Sequence, residues 1–230
     1  MGKDFPLFSG LPMRTLALLL LFLFANPVWA DECDKLPPPS VKLKRLEEPF
    51  ALNTTYGYRS LTNLGSEQAK PGHLVLGLTR GNAVVKFETR MPGFIDPSGR
   101  WECNSPQLVI TYGFSPMTVY VAREFPEGRC AYTEIYQHEL RHVKAYQDHI
   151  ISLEKELTET MNRWFAGGGP WRGPAGENKE RVQQQLEERW MPYIKREIAR
   201  VDVAQAKIDT PEEYARVANS CNGEIKQATR

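Results

Sequence analysis

The chain has 230 residues, of which 41% are hydrophobic and 25% are charged, a composition typical of a globular protein with one sizeable core. Residues 1–30 hold two of the 29 basic and one of the 28 acidic residues, so 27 of each remain beyond residue 30 and the formal charge there is zero. That balance gives no indication of a nucleic-acid partner or of an anionic membrane surface.

The first thirty residues have the pattern of a secretory signal peptide. The basic residues Lys3 and Arg14 precede an apolar run, Thr15–Ala25, and the segment Val28-Trp29-Ala30 suits cleavage after position 30. The run is shorter than the roughly 18 to 20 apolar residues that cross a bilayer, although an uncleaved anchor is the alternative. We therefore expect a periplasmic or secreted protein without a stable membrane anchor once the signal peptide is cleaved.

All four cysteines follow the predicted signal peptide. An even number of cysteines in an oxidising compartment predicts two disulfides rather than buried thiols. Four cysteines allow three pairings. We favour Cys103 with Cys130, because they bracket two predicted strands, and by elimination Cys33 with Cys221.

The middle of the chain shows the pattern of a small antiparallel sheet over residues 73–123. An N-terminal extension, residues 31–72, includes the extended segment Pro37-Pro38-Pro39. Apolar and β-branched runs separated by Gly, Pro, Asn and Ser then predict four strands. These are Leu74–Leu78, Ala83–Phe87, Leu108–Tyr112 and Met117–Ala122.

Helical periodicity begins after Gly128. Apolar residues at three- and four-residue spacings predict one long amphipathic helix over 131–165, and a Gly-rich connector follows it. A second helix, 177–208, kinked at Pro192, is expected to form an antiparallel hairpin with the first. A third, 211–220, begins with Thr210 as its cap and Glu213 completing a capping box. The predicted fold is therefore α+β, with its main domain over residues 73–225.

The motif His138-Glu139-Leu140-Arg141-His142 lies on the first of these helices. Two histidines four residues apart are rotated by only about 40° around a helix, so both imidazoles can reach one metal ion, and neutral imidazole is a natural zinc ligand. Glu139 can take a proton from a metal-held water that attacks a carbonyl. Glu139 also falls in the middle of the apolar stripe, where an unpaired carboxylate costs several kcal/mol. The alternative is two exposed histidines beside a salt-bridged glutamate.

Strands followed by a helix with this motif resemble the zincin metallopeptidases. Together with export and the lead-in Cys130-Ala131-Tyr132, the chain is similar to the predicted secreted zinc-dependent proteases of bacteria. The resemblance covers roughly residues 103–165. It implies a zincin-like fold in which His138 and His142 bind Zn²⁺, Glu139 is the general base, and a sheet-edge strand, here Met117–Ala122, holds an extended peptide or protein substrate.

Catalytic zinc needs a third protein ligand, and three residues compete for that role. Asp148 has the metzincin spacing, but Ala145 stands where the helix-breaking Gly should be. His149 shares the face of the two histidines but lies roughly 10 Å along the helix from His142. Glu197, on the second helix, corresponds to the gluzincin arrangement and is the preferred candidate.

These observations together predict an exported zinc-dependent hydrolase, foremost a metallopeptidase that uses Glu139 as its general base. A zinc amidase that acts on cell-wall peptide would use the same site. The alternative from a different class is a non-catalytic exported helical-hairpin module that binds a component of the cell envelope.

Overall fold

The structure is a computed structural model that describes residues 31–65 and 74–229. The predicted signal peptide and His73, the first residue of the predicted sheet, lie outside these ranges. The described residues form a mixed α/β fold with a long helix packed against a sheet. None of the helices in these two ranges combines the length and the apolar character that a bilayer span requires.

The main sheet has four strands arranged around one central strand. β6 (Gln107–Val121) pairs along one edge with β1 (Ser40–Arg45) and β2 (Ala51–Asn53), both parallel to it, and along the other edge with β3 (Gly77–Arg90), antiparallel to it. The antiparallel sheet predicted over 73–123 is present as the β3–β6 pair, but the parallel strands β1 and β2 were not predicted. They lie in the segment that was predicted as an N-terminal extension, where residues 40–53 supply both strands.

The four predicted strands correspond to only two long strands of the structure, β3 and β6. The end of run 74–78 and all of run 83–87 fall in β3, which continues through a bulge between Gly81 and Ala83, since a bulge absorbs residues that otherwise read as a turn. Run 108–112 and residues 117–121 of the next run likewise fall in β6. Residues 118–120 are paired on both sides, with Val119 opposite Leu52 and Thr79, so the edge strand is β3 and not the predicted Met117–Ala122.

A smaller antiparallel sheet contains β4 (Gly93–Ile95), β5 (Trp101–Asn104) and β7 (Trp171–Pro174). β7 lies inside the segment that was predicted as a connector. A short helix, α1 (Tyr58–Leu64), separates β2 from β3.

The long helix α2 (Cys130–Phe165) confirms the prediction for 131–165. Its apolar face packs against the inward side chains of β6, including Leu108, Ile110 and Tyr112. Burial of each large apolar side chain contributes about 1.5–3 kcal/mol. The helix positions the motif at the sheet because its buried residues include Ile135, Val143, Ile150, Leu153, Leu157 and Met161.

The predicted second helix is interrupted. It comprises α3 (Asn178–Gln184), a π-helical turn (Gln185–Trp190), α4 (Met191–Ala199) and α5 (Val201–Ala206). Pro192 lies in the first turn of α4, where its missing N–H is tolerated. The second helical segment runs antiparallel to α2, as predicted, because its contacts move toward the start of α2 as its own residue numbers rise. These contacts are Trp190 with Trp164, Tyr193 with Glu156, and Glu197 with His149.

Two short helices end the described chain, α6 (Pro211–Asn219) and α7 (Glu224–Ala228). The hydroxyl of Thr210 accepts a hydrogen bond from the backbone N–H of Glu213 at 3.2 Å, which confirms the predicted cap. The carboxylate of Glu213 does not complete the capping box, because it is paired with His138, Arg141 and Arg216.

Both disulfides are present but the predicted pairing is wrong: Cys33 is bonded to Cys103, and Cys130 to Cys221. The prediction assumed that the strands between Cys103 and Cys130 fold back on each other. They are instead the single 15-residue strand β6, which extends for about 50 Å and keeps these two cysteines at opposite ends. The Cys130–Cys221 bond ties the start of α2 to the segment after α6.

Candidate metal centre

Three parts of the fold converge on the motif. α2 supplies His138, Glu139 and His142, and the ligand-capable atoms of these three residues all lie within 4.8 Å of one another. β3 passes beside Glu139, and the segment from α5 to α6 passes beside the two imidazoles.

The inner nitrogens of both imidazoles face each other and one carboxylate oxygen. His138 Nε2 and His142 Nε2 are 3.2 Å apart, and Asp209 Oδ1 lies 3.2 Å from the first and 3.3 Å from the second. Ligand atoms around a tetrahedral ion with bonds of about 2.0 Å are spaced about 3.3 Å apart. Two imidazole nitrogens and a carboxylate oxygen also match the donor set of catalytic zinc sites. These residues therefore fit a divalent metal ion.

The outer nitrogen of His142 determines which tautomer is present. Gln205 donates from Nε2 to the backbone oxygen of His142 at 3.3 Å, which turns its Oε1 toward the ring, 2.5 Å from Nδ1. Because an amide oxygen only accepts, Nδ1 of His142 carries a proton, and Nε2 is the nitrogen that the neutral ring would offer to a metal ion. Outer partners of this kind orient metal-binding histidines.

His138 has a carboxylate partner at its outer nitrogen, with Glu213 Oε1 3.2 Å from Nδ1. Arg141 also lies 2.7 Å from Nδ1 and pairs with Glu213. A guanidinium only donates, so Nδ1 of His138 cannot donate to Glu213 and accept from Arg141 at the same time. Metal binding through Nε2 requires a proton on Nδ1 and therefore the contact with Glu213. Hydrogen bonds from Arg216, and further ones from Arg141 and His138, outweigh partial burial and lower the pKa of Glu213 to about 2, so it is ionised.

β3 holds the carboxylate of Glu139, which is only 3% exposed, as the apolar stripe predicted. The hydroxyl of Thr79 donates to Oε2 of Glu139 at 2.8 Å. At Gly77, a Cβ atom would lie 2.6 Å from Oε1 and 2.7 Å from Ile135 Cγ2, so only glycine leaves room for the carboxylate. Burial raises the pKa of Glu139, whereas His142, His138 and the Thr79 hydroxyl act in the opposite direction.

Asp209 and Tyr214 complete the wall of the site. Burial acts to raise the pKa of Asp209, but its close contacts with the imidazoles of His138 and His142, which favour the charged carboxylate, outweigh burial and hold that pKa well below its usual range. The Asp209 carboxylate is therefore ionised and can serve as an anionic metal ligand. Burial and the negative charges of Asp209 and Glu139 raise the pKa of Tyr214 to about 12, so Tyr214 remains a neutral hydrogen-bond donor.

None of the three predicted third ligands reaches the site. Asp148 pairs with Lys144 on the exposed side of α2. His149 Nε2 is hydrogen-bonded to the backbone oxygen of Glu197 at 2.8 Å, and the Glu197 carboxylate pairs with Arg196 and Arg200. The preference for Glu197 was wrong because the hairpin places Gln205, near the end of α5, opposite His142. The carboxylate that contacts both imidazoles belongs to Asp209, which follows α5.

Sequence reasoning missed Asp209 for a local reason. It immediately precedes the N-cap Thr210 and therefore reads as part of a turn. A signal was nevertheless present: Gln205, Asp209 and Glu213 are polar residues spaced four apart across the junction between two helices, and all three contact the motif histidines.

An elongated cleft with a volume of about 700 Å³ opens onto the centre. One wall is the edge of β3 from Leu76 to Asn82, and the floor includes His138, Glu139 and His142. Segments from α5 to α7 form the opposite wall. The centre is thus open to a molecule that lies along β3.

No protein-family model, no curated protein and no solved structure matches the chain.

Proposed function

We propose that this protein is an exported zinc-dependent hydrolase with a zincin-like arrangement, foremost a metallopeptidase. His138, His142 and Asp209 would hold the zinc ion, and Glu139 would act as the general base. The observation that carries the proposal is the convergence of three lone-pair atoms at 3.2–3.3 Å, with outer partners for both imidazoles. Three acceptors at such spacing repel one another unless a cation or proton lies between them.

The reaction follows from the placement of the residues. A zinc ion held by His138, His142 and Asp209 would lower the pKa of a bound water and polarise the scissile carbonyl. Glu139 is positioned to accept the proton of the attacking water and to transfer it to the leaving amine. The Thr79 hydroxyl keeps one carboxylate oxygen engaged at 2.8 Å, which fixes the orientation of the other. The Tyr214 hydroxyl is hydrogen-bonded to the Asp209 carboxylate, which would orient that residue toward the metal ion.

The cleft supports an extended polypeptide as the substrate. β3 pairs only with β6 among the described strands, and its other edge could accept an added strand up to Gly81, whose backbone is hydrogen-bonded to the Tyr146 hydroxyl. This role passes to β3 from the segment Met117–Ala122, which is central in the sheet. A cell-wall peptide would meet the same groups, so an amidase remains the alternative substrate class.

The location of the protein follows from two observations. The signal-like segment 1–30 predicts export, and the two disulfides, Cys33–Cys103 and Cys130–Cys221, are typical of an oxidising compartment. Both observations support the proposal that the protein acts in the periplasm or outside the cell. The balanced charge of residues 31–230 gives no reason to propose a nucleic-acid partner.

The deciding experiment compares Glu139→Gln with wild type in zinc content and in hydrolysis of unfolded protein substrates. We expect about one zinc per chain in both proteins, with hydrolysis lost in the variant by several orders of magnitude. Glu159→Gln, the same change at an exposed position of α2, is the control and should retain full activity. Zinc absent from both proteins, or hydrolysis that persists in Glu139→Gln, refutes the proposal and favours the non-catalytic binding module.

A further inference from the structure

The main sheet has a second face, which points away from α2 and from the metal centre. On β6, the side chains that pack in the core with α2 are Leu108, Ile110 and Tyr112. Because side chains alternate along a strand, Val109 and Thr111 point to the opposite face. The chemistry of that face is set by the two strands on either side, β1 and β3.

Five charged residues lie on this second face. The core side of β1 and β3 is formed by Val41, Leu43, Val85 and Phe87. Alternation therefore places on the second face Lys42 and Lys44 of β1 and Lys86, Glu88 and Arg90 of β3. We call these five residues, together with the part of β6 between them, the basic face.

The charges of the basic face are available to a partner. All five side chains are exposed. None of them forms an ion pair or a side-chain hydrogen bond with another residue of 31–65 or 74–229. Lys44 and Lys86 are both in register with Thr111 of β6, so the two ammonium groups flank an uncharged strand.

The zero formal charge of residues 31–230 hides an uneven distribution. The basic face has four of the 27 basic and one of the 27 acidic residues of this region. The remainder has 23 basic and 26 acidic residues, so its formal charge is −3 against +3 on the basic face. An anionic surface would therefore attract the protein with this face foremost.

The cations are spread in two directions. Neighbouring strands lie about 4.8 Å apart, so β1 and β3 are separated by about 10 Å across β6. The positions of Lys86 and Arg90, four residues apart on β3, are separated by about 13 Å along the strand. A linear polyanion follows a groove or a single row of cations, whereas charges spread over a flat area match a surface of anionic headgroups.

We infer that the basic face binds the surface of an anionic phospholipid bilayer. The inference goes beyond the proposed function and does not depend on it. Each cation near such a surface contributes about fivefold to binding, so a net charge of +3 corresponds to a preference on the order of a hundredfold over a neutral bilayer. His138, Glu139 and His142 belong to α2, on the other side of the sheet, so the bound protein would keep its cleft open.

The first test measures binding without any hydrolysis. The protein isolated after export is sedimented with vesicles of phosphatidylcholine, alone or mixed with phosphatidylglycerol. It should bind the mixed vesicles on the order of a hundredfold more tightly. This binding should weaken as the ionic strength rises from about 0.01 M to about 0.15 M, because the Debye length falls from about 30 Å to about 8 Å.

Three outcomes of the vesicle experiment would overturn the inference. The first is equal binding to both kinds of vesicle. The second is tighter binding to the soluble polyanion dextran sulfate than to the mixed vesicles, which would assign the face to a linear polymer. The third is displacement from the vesicles by inorganic phosphate at constant ionic strength, which would assign it to a free anion.

A gain of binding is the sharper test. Glu88→Gln removes the one acidic side chain of the basic face and should strengthen binding to the mixed vesicles about fivefold. Glu159→Gln, the same change at an exposed position of α2, is the matched control and should leave binding unchanged. Unchanged binding in Glu88→Gln, or an equal gain in Glu159→Gln, refutes the assignment of this face.

A charge reversal tests the same assignment in the opposite direction. Lys44→Glu combined with Lys86→Glu changes the face from +3 to −1 and should abolish the preference for the mixed vesicles. The control combines Lys155→Glu with Lys195→Glu, at exposed positions of α2 and α4, and should retain the preference. Equal losses in the two double variants would show that only the overall charge matters and would overturn the inference.

Discussion

Replacement of Asp209 by Asn tests the assignment of the third metal ligand most directly. The change keeps the shape of the side chain and removes the charged oxygen that lies 3.2–3.3 Å from both imidazole nitrogens. Carboxamides are not among the usual zinc ligands. Loss of an outer partner already weakens zinc binding tenfold to a hundredfold, so loss of a direct ligand should cost at least a hundredfold.

The loss of zinc affinity can be measured as a smaller rise in Tm when zinc is added. Zinc at a hundred times the wild-type Kd stabilises the folded state by about 2.7 kcal/mol. For the 200 residues of 31–230, this raises Tm by about 5–11 °C. In Asp209→Asn the same zinc concentration equals the Kd at most, so the gain falls to about 0.4 kcal/mol and about 1–2 °C.

The matched control is Asp148→Asn, the same change at a residue that pairs with Lys144 on the exposed side of α2. It should show the full shift with zinc, measured by differential scanning fluorimetry and checked against zinc content. If Asp209→Asn keeps the wild-type shift, or Asp148→Asn loses it, Asp209 is not the third ligand.

Three further outcomes are expected. Glu213→Gln should lower zinc affinity tenfold to a hundredfold by competition titration, because it removes the charged partner of His138; unchanged affinity would contradict that role. Thr79→Val should reduce kcat with KM and zinc content unchanged, and Thr79→Ser should restore it; equal loss in both variants would show that the hydroxyl is not responsible. Removal of the Cys130–Cys221 disulfide, which closes a 91-residue separation, should lower the free energy of unfolding by about 2–5 kcal/mol in chemical denaturation; a change below 1 kcal/mol would refute the constraint.

The sequence was most informative about α2. Apolar spacing defined the helix, and the position of Glu139 in its apolar stripe correctly predicted a buried carboxylate between the two motif histidines. The antiparallel hairpin was also predictable, because a glycine-rich break between two amphipathic helices requires their apolar faces to meet. Both inferences depend on a period of 3.6 residues within one segment, which the sequence displays directly.

The strands were harder to delimit. The local sequence suggests strand ends at Gly81, Gly113 and Pro116, yet β3 and β6 continue through those positions. Pairing on both sides of β6 stabilises the strand across residues of low strand propensity. Because pairing partners are distant in the sequence, neither the parallel β1 and β2 nor the identity of the edge strand was visible in the local pattern.

The sequence by itself determined the motif with His138, Glu139 and His142, the helix that presents it and the burial of the Glu139 carboxylate. Only the tertiary structure decided which carboxylate meets both imidazoles, because Asp209 is 71 positions from His138 and reaches it through the end of α5 and the turn into α6. The same is true of the disulfide pairing and of β3 as the cleft wall. Local periodicity specifies which face of a segment is buried, whereas the meeting of distant segments depends on strand register and helix termination, which are settled by packing of the whole chain.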